Sequence, residues 1–292
     1  MKGLLMFFDP DSGGYLVFLV ALLQTICLGF YLCFLEGGQA AAAPGDYTSP
    51  LAQAEEMGGI VSSLEEDTTA SADGNGEEVN SSPNPGAGKK EDCLPVSSGP
   101  VGGNLIALTF DDGPSPKWTP KYLEILEKHG AQATFFVVGE KAMSYPEQLR
   151  AVVSAGHELG AHSLFHQRLA GFSSLEMLRD LRATQAIIAA VAGVEASLFR
   201  PPYGEYNEDL LAAALSLGQR TILWNMDPKD WTSPSPDYLV KQVVSKAKDG
   251  AIILLHEGKK NTWQALPKII EGLQDRGFSL VTVSELLAAH SE

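Results

Sequence analysis

Cysteine is scarce in this chain of 292 residues and is missing after residue 93. Cys27 and Cys33 lie in an apolar run near the amino terminus, and Cys93 stands alone in a polar segment. The rest of the chain therefore has neither a disulfide framework nor a cysteine metal site. We expect that part to be stabilised by its hydrophobic core.

Lysine and arginine are absent between Lys2 and Lys89, and the net charge is −15. Much of the acidity lies in residues 37–100, which are rich in Ala, Gly, Ser and Pro and nearly free of aromatic residues. Such a composition buries too little apolar surface to fold, so residues 37–100 are predicted to form a disordered acidic linker. With no stripe of basic residues, nucleic acid is not expected as a partner.

The chain has one long apolar run, residues 15–35. A helix of roughly 20 apolar residues crosses a bilayer, so residues 1–36 are predicted to hold a membrane-spanning helix in contact with membrane lipid. A cleaved signal peptide is the alternative, because small residues follow at 40–43. The apolar core of a signal peptide is usually only about 7 to 15 residues long, however.

The charges around this run indicate an orientation. Lys2 precedes the run, and acidic residues but no lysine or arginine follow it until Lys89. Positive charge is concentrated on cytoplasmic flanks. We therefore expect a single-pass protein of the cell membrane with residues 101–292 outside, or a secreted domain if the run is cleaved.

From Asn104 onward, short apolar runs alternate with longer amphipathic ones, which predicts β-α units around a parallel sheet. The predicted strands are 105–110, 134–138, 158–161, 198–199, 221–224, 252–255 and 280–283. The predicted helices are 119–129, 147–155, 174–192, 208–217, 237–248 and 265–276. About seven β-α units close into a barrel or form an open doubly wound sheet, and in both folds the chemistry lies beyond the carboxyl ends of the strands.

Two adjacent carboxylates, Asp111 and Asp112, end the first predicted strand. Neighbouring strand residues point in opposite directions, so one carboxylate can bind a metal while the other acts on a proton. The alternative is a solvated Asp-Asp-Gly turn.

His162 and His166 follow the third predicted strand at a spacing of four. On a helical turn both side chains would face the same side, as a zinc site requires. With one carboxylate they form a two-histidine, one-carboxylate set, which iron enzymes also use. His157 precedes its strand and is expected to be structural.

Further polar residues follow later strands. Arg200 precedes two prolines and could orient a carboxylate through a bidentate pair, or it could be an ordinary loop arginine. Asp230 and Trp231 suit a catalytic group beside a sugar-stacking ring, although Trp231 could equally be part of the core. His256 ends a buried strand, where a structural histidine is the common alternative.

Five separated motifs occur in this order: TFDDGP at Thr109, HSLFH at His162, RPPYG at Arg200, DPKDW at Asp227 and LLH at Leu254. They resemble those of the polysaccharide deacetylases with a NodB-type domain, carbohydrate esterase family 4. The resemblance covers about Asn104 to the carboxyl terminus, so residues 101–292 are predicted to be the catalytic domain, and it implies a distorted β/α barrel. The family includes chitin, chitooligosaccharide and peptidoglycan deacetylases.

The resemblance implies a role for each matching residue. Asp112, His162 and His166 would hold a divalent metal, usually zinc, with cobalt or manganese as alternatives. Asp111 would be the general base and His256 the general acid.

The remaining roles implied by the resemblance are supporting ones. Arg200 would orient the base, and Asp230 would tune the acid. The backbone amide of Tyr203 would help to bind the oxyanion. The residues implied to shape the substrate pocket are Pro202, Tyr203, Trp231 and Leu254.

The expected reaction is metal-dependent removal of N-acetyl groups from amino sugars, most simply in cell-wall peptidoglycan or chitin-like oligomers, with release of acetate. Hydrolysis of a small non-sugar amide is a second reading, which the export segment and Trp231 disfavour. An inactive wall-binding module is a third, against which the complete set of metal and acid-base residues argues.

Overall fold

The computed structural model describes residues 94–289, all of which belong to one compact unit, Gly74–Glu292. The predicted membrane span and residues 37–93 of the predicted linker lie outside the described part. Between residues 94 and 289, no helix combines the length and apolar character needed to cross a membrane.

The described chain alternates strands and helices. The strands are β1 (Leu105–Gly113), β2 (Thr134–Val137), β3 (Glu158–Ala161), β4 (Leu198–Phe199), β5 (Arg220–Thr221), β6 (Ala251–His256) and β7 (Ser279–Val281). The helices are α1 (Thr119–Lys128), α2 (Gly139–Ser144), α3 (Pro146–Ser154), α4 (Ser174–Ala192), α5 (Glu208–Ser216), α6 (Pro236–Lys246), α7 (Lys260–Asp275) and α8 (Val283–Ala288). Short 3₁₀ turns lie at Leu169–Gly171, Pro202–Gly204 and Asp230–Thr232.

All the strand pairs are parallel, in the order β5-β4-β3-β2-β1-β6, and β7 also pairs with β1. One edge of β1 pairs with β6 along most of β1. The other edge pairs with β7 near the beginning of β1 and with β2 near its end. The predicted parallel α/β fold is confirmed. Parallel pairing brings the carboxyl ends of the strands to one side, where the predicted site residues follow them.

The two outer strands, β5 and β6, are linked by single bridges instead of a continuous ladder. Val96 bridges Ile222 just beyond β5, Ser98 bridges Ala251, and Met226 bridges Ile253. This irregular seam is consistent with the distorted closure that the family resemblance implies.

The sheet separates two hydrophobic clusters. Ile106, Leu108 and Phe110 of β1 pack in the larger cluster together with residues of the helices. Ala107, on the opposite face of β1, packs in a smaller cluster that Leu286 of α8 also joins. Alternation places Thr109 and Asp111 on the same face as Ala107. The site therefore lies on the face of the sheet that carries the smaller cluster, which we call the inner face.

Several predicted boundaries differ from the structure, three of them as follows. Strand β5 ends at Thr221, before residues 222–224. Residues 282–283 are not strand, because Thr282 caps α8 through a reciprocal capping box with Glu285. Helix α7 begins at Lys260, five residues before its predicted start.

Candidate active site

The paired aspartates occupy an irregular strand end. A register shift separates Asp111 from Gly113 in the pairing of β1 with β2, and Asp112 has φ 73°. This left-handed conformation is uncommon for a residue with a side chain. It gives the two carboxylates different environments: the Asp111 side chain is 4% exposed and the Asp112 side chain 27%. The alternative of a merely solvated turn is wrong for Asp111.

Asp112, His162 and His166 form the candidate metal centre, with one ligand atom of each within 4.8 Å of the others. Asp112 Oδ1 lies 3.1 Å from Nε2 of His166 and 3.8 Å from Nε2 of His162. Tetrahedral zinc places such ligand atoms roughly 3.3 Å apart, so the spacing fits. Asp112 Oδ1 is also buried without a hydrogen-bond partner, as expected of an atom that binds a cation.

The His162 ring is oriented by the backbone. Its Nδ1 lies 2.7 Å from the carbonyl oxygen of Arg200, to which the ring N–H donates. Nε2 is then the free nitrogen, directed at Asp112. A carbonyl partner on the far nitrogen is the usual support for a metal-ligating histidine.

Burial lowers the pKa of His162, although the charges of Asp111 and Asp112 oppose the shift. Burial alone would raise the pKa of Asp112, but the close approach of His166 and the nearby histidine charges outweigh it and lower that pKa well below its usual range. A neutral imidazole next to an ionised carboxylate is the protonation state that metal binding requires.

The segment between the two histidines is not the helical turn expected from their spacing. Residues 164–166 form bends, and Ser163 and His166 have φ 62° and 56°. A residue that sequence reasoning missed supports this shape: Asp180 of α4 accepts a hydrogen bond of 3.0 Å from the Leu164 amide. No local sequence signal connects Asp180 to the loop.

Arg200 is fully buried and contacts Asp111, with Nη1 2.7 Å from Oδ1. The bidentate pair suggested by the sequence is wrong. Nη2 donates to the carbonyl of Leu223 and Nε to that of Ile222, which leaves one nitrogen for the carboxylate. Nη1 also contacts Oγ1 of Thr109 at 2.7 Å, so Arg200 holds Asp111 at a fixed position and is not an ordinary loop arginine.

His256 is paired with a carboxylate. Its Nδ1 lies 2.7 Å from Asp230 Oδ1, and its backbone N–H donates to Asp230 Oδ2 at 2.8 Å. Thr262 of α7 donates to the same Oδ2 at 2.7 Å. Burial alone would lower the pKa of His256, but the hydrogen bond and charge of Asp230 outweigh it and raise that pKa. The pairing with Asp230 therefore favours the protonated form of His256.

Two aromatic side chains border the site on the surface. Trp231 is 53% exposed and Tyr203 is 54% exposed, so Trp231 is not a core residue. Tyr203 has φ 62° within the Pro202–Gly204 turn, and its ring packs edge-on against His166 at 4.9 Å. Leu254 is buried and shares the inner face of β6 with His256, as their spacing of two requires. Pro202 is also buried.

Strained backbone is concentrated around this site. Among residues 94–289, seven residues other than glycine have positive φ, and six of them lie in the loops that carry the candidate residues: Asp112, Ser163, His166, Tyr203, Lys229 and Ser233. Such conformations persist only where the surroundings impose them, and they cluster at functional sites.

Glu257 is a second residue whose place the sequence did not indicate. It is 5% exposed, and its Oε1 accepts a hydrogen bond of 2.6 Å from Thr119. Burial raises the pKa of Glu257 to about 7. A side chain at Gly113 would collide with this carboxyl group, so the turn after Asp112 packs closely against Glu257.

Known proteins match this part of the chain. A family model described as polysaccharide deacetylase matches residues 98–222. The chain is 40% identical to a peptidoglycan-N-acetylmuramic acid deacetylase of Bacillus subtilis over 62% of its own length, but spans only 38% of that relative. It is 38% identical to a peptidoglycan-N-acetylglucosamine deacetylase of Bacillus cereus, covering 63% of this chain and 88% of the relative.

A solved structure with the same fold is a pseudoenzyme of carbohydrate esterase family 4 from Bacillus anthracis. It matches with a TM-score of 0.64 at 31% identity, over 66% of this chain and 69% of that one. Together with the arrangement of Asp111, Asp112, His162, His166 and His256, these matches show that the chain belongs to the polysaccharide deacetylase family, hydrolases that act on the amide bond of N-acetyl groups.

Proposed function

We propose that this protein hydrolyses the N-acetyl groups of amino sugars in a cell-wall glycan, with peptidoglycan as the favoured substrate and acetate as the product. One observation carries the proposal: the cluster of Asp112, His162 and His166 is complete and stands beside two charged pairs suited to proton transfer. The relatives from Bacillus are named for peptidoglycan, which supports that choice of substrate.

The metal in this proposal is a divalent cation, with zinc preferred and cobalt or manganese as alternatives. Asp112, His162 and His166 would hold it. Three protein ligands leave a position open, and a cation bound there would supply Lewis acidity toward the acetamide oxygen and an activated water.

The protein groups would divide the proton transfers between them. Asp111, held by Arg200, would accept the proton of the attacking water. His256 would donate a proton from Nε2 to the departing sugar amine, because its Nδ1 is held by Asp230. The Tyr203 amide would stabilise the oxyanion, while Trp231, Leu254 and Pro202 would shape the pocket for the sugar and its acetyl methyl.

The decisive experiment measures acetate release by the purified protein with added zinc or cobalt. We expect release from N-acetylated glycans, and we expect Asp111→Asn to abolish it while metal still binds. Undiminished release by this variant would contradict the role of Asp111. A comparison of intact peptidoglycan, chitooligomers and acetylated xylan identifies the substrate, and we expect peptidoglycan to be the best.

A second candidate function is an inactive glycan-binding module, because a related structure is described as a pseudoenzyme. The complete set of metal, base and acid residues favours an enzyme. If the wild-type protein loaded with metal binds peptidoglycan but releases no acetate, the binding module is the correct function.

The proposed location is the outer side of the cell membrane, and its support is the apolar run at residues 15–35 and the acidic residues that follow. Protease added to intact cells should then remove the catalytic part. A protein found only in the medium would instead indicate cleavage of the run.

A further inference from the structure

Two tryptophans and two lysines lie together beside the β6–α7 turn, and the proposed mechanism does not use them. Trp118 precedes α1, Trp263 lies in α7, and their rings meet edge to face at 6.2 Å. Lys117 and Lys121 approach these rings. We call these four residues the Trp–Lys surface.

The surface lies close to the proposed general acid. The closest atom to a side chain added at Gly258, two residues after His256, would be one of the Trp118 ring. Tyr122, in the first turn of α1, donates hydrogen bonds to the carbonyls of His256 at 3.2 Å and Lys259 at 3.3 Å. Helix α1 and the strand end that carries His256 are therefore fixed to each other.

The rings hold the ammonium groups in place. Nζ of Lys121 lies 5.2 Å from the centre of the Trp118 ring and 4.9 Å from that of Trp263, and Nζ of Lys117 lies 4.9 Å from Trp118. Both distances to Lys121 fall within the range of cation–π attraction. Because the lysine ammonium groups cover the ring faces, a sugar ring cannot easily stack on these tryptophans. The feature that the surface offers to a ligand is its positive charge.

Neither Lys117 nor Lys121 forms an ion pair within the described part of the protein. The one lysine ion pair among residues 94–289 is that of Lys268 with Asp237. Of the eight helices in that range, only α1 and α7 have no acidic residue in the first turn. Lys121 and Lys260 lie in those turns instead, near the positive ends of the helix dipoles.

Packing alone does not account for this arrangement. A cation near a helix amino terminus is unfavourable by an amount similar to what an exposed cation–π contact contributes, so the two effects nearly cancel. An unpaired positive surface in a chain of net charge −15 is instead suited to an anionic ligand.

We infer that the Trp–Lys surface binds a carboxylate of the glycan substrate on a repeat next to the one being deacetylated. This inference rests on the proposed function. A sugar whose amine is next to His256 continues as a polymer past the site, and the lysines would contact carboxylates of the following unit. The surface would make the protein prefer an acidic N-acetylated glycan to a neutral one of equal length.

The test compares two tetrasaccharides, one of N-acetylglucosamine only and one containing muramic acid with its carboxylate free. In the double variant Lys117→Gln and Lys121→Gln, KM for the acidic substrate should rise about fivefold, as expected from two exposed ion pairs. The kcat for both substrates and the KM for the neutral one should stay within about twofold. Added salt should raise KM for the acidic substrate in the wild type more than in the variant.

Lys128→Gln, at the far end of α1, removes a charge from the same helix and should change neither KM. A thermal melt of each variant distinguishes lost binding from lost folding. Trp118→Phe keeps an aromatic ring and should give a smaller rise in KM than the double lysine variant.

An unchanged KM for the acidic substrate in the double variant, or an equal rise for both substrates, would overturn the inference. If the wild type releases acetate from neither tetrasaccharide nor from peptidoglycan, the proposed function fails and the inference falls with it. If the wild type releases acetate but the double substitution changes KM equally for the two substrates, or for neither, the role of the Trp–Lys surface is refuted and the proposed function is not.

Discussion

His162 and His256 follow two different strands, and each is held through Nδ1 at 2.7 Å, yet their electrostatic surroundings are opposite. The partner of His162 is the neutral carbonyl of Arg200, and burial lowers its pKa. The partner of His256 is the Asp230 carboxylate, whose effect outweighs burial and raises its pKa. These surroundings suit the roles proposed for the two residues, a metal ligand for His162 and a proton donor for His256.

The difference indicates that the partner on the far ring nitrogen influences which charge state a histidine favours, and with it the role proposed for that histidine. A carbonyl orients the ring without stabilising its charged form, whereas a carboxylate does both. Residue type and position at a strand end are the same in the two cases. The predictions below test this division, from the largest expected effect to the smallest.

The strongest test exchanges the ligand and the acid in turn. His162→Gln should lower acetate release by about 10³-fold or more and should also lose the metal. His256→Gln should lower release by a similar factor while stoichiometric zinc remains bound, as measured by metal analysis after dialysis. Loss of zinc in the His256 variant would mean that the two histidines do not have separate roles.

Asp230→Asn should remove the source of the raised pKa of His256. The rate of acetate release should fall by about 10 to 100-fold, because a hydrogen bond to a charged group contributes about 1.5 to 3 kcal/mol. The acid must be protonated to act, so a lower pKa moves the basic limb of the kcat–pH profile to lower pH. Asp237→Asn, an exposed acid at the start of α6, is the matched control and should leave the profile in place. If the basic limb does not move in the Asp230 variant, His256 is not the group whose titration determines that limb.

Asp180→Ala should loosen the loop that carries His162 and His166. Support of this kind typically changes metal affinity by about tenfold or more, and competition with a chelator measures it. Asp180→Asn retains an acceptor for the Leu164 amide and should lose less affinity. Equal zinc affinity in the Ala variant and the wild type would show that the loop holds its shape without Asp180.

Thr262→Val should have the smallest effect. Loss of the hydroxyl removes one donor from Asp230, whose carboxylate then stabilises protonated His256 more strongly. The basic limb should move slightly to higher pH, opposite to its shift in Asp230→Asn, with kcat within about threefold. A shift to lower pH would contradict this account of the pair.

The strand ends carried most of what the sequence could predict about the site. The convergence of four of its residues follows from topology alone, because each lies at or just after the carboxyl end of a strand of one parallel sheet: Asp111, Asp112, Arg200 and His256. The left-handed backbone at Asp112 and His166 has no such signal, because tertiary contacts impose it. The spacing of the two histidines therefore predicted a helical turn where the structure has bends.

Residues contributed by helices were harder to find. Asp180 reaches the site from the interior of α4, where helical periodicity marks it only as a buried position. Thr262 reaches it from the first turn of α7, ahead of the predicted start of that helix. Helix α2 has six residues, too few to show a period. Helix α8 did have a signal, the Thr282 and Glu285 capping box, but the apolar run before it suggested a longer strand.

The left-handed residues of the site also bear on heat resistance and evolution. Asp112, His166 and Tyr203 each hold a conformation that costs roughly 1 to 3 kcal/mol without glycine, while a whole domain is stable by only about 5 to 15 kcal/mol. A selection for thermal stability alone would favour glycine at these three positions and would erode the site. The rest of the fold must therefore supply enough stability to offset the conformational cost of these three residues.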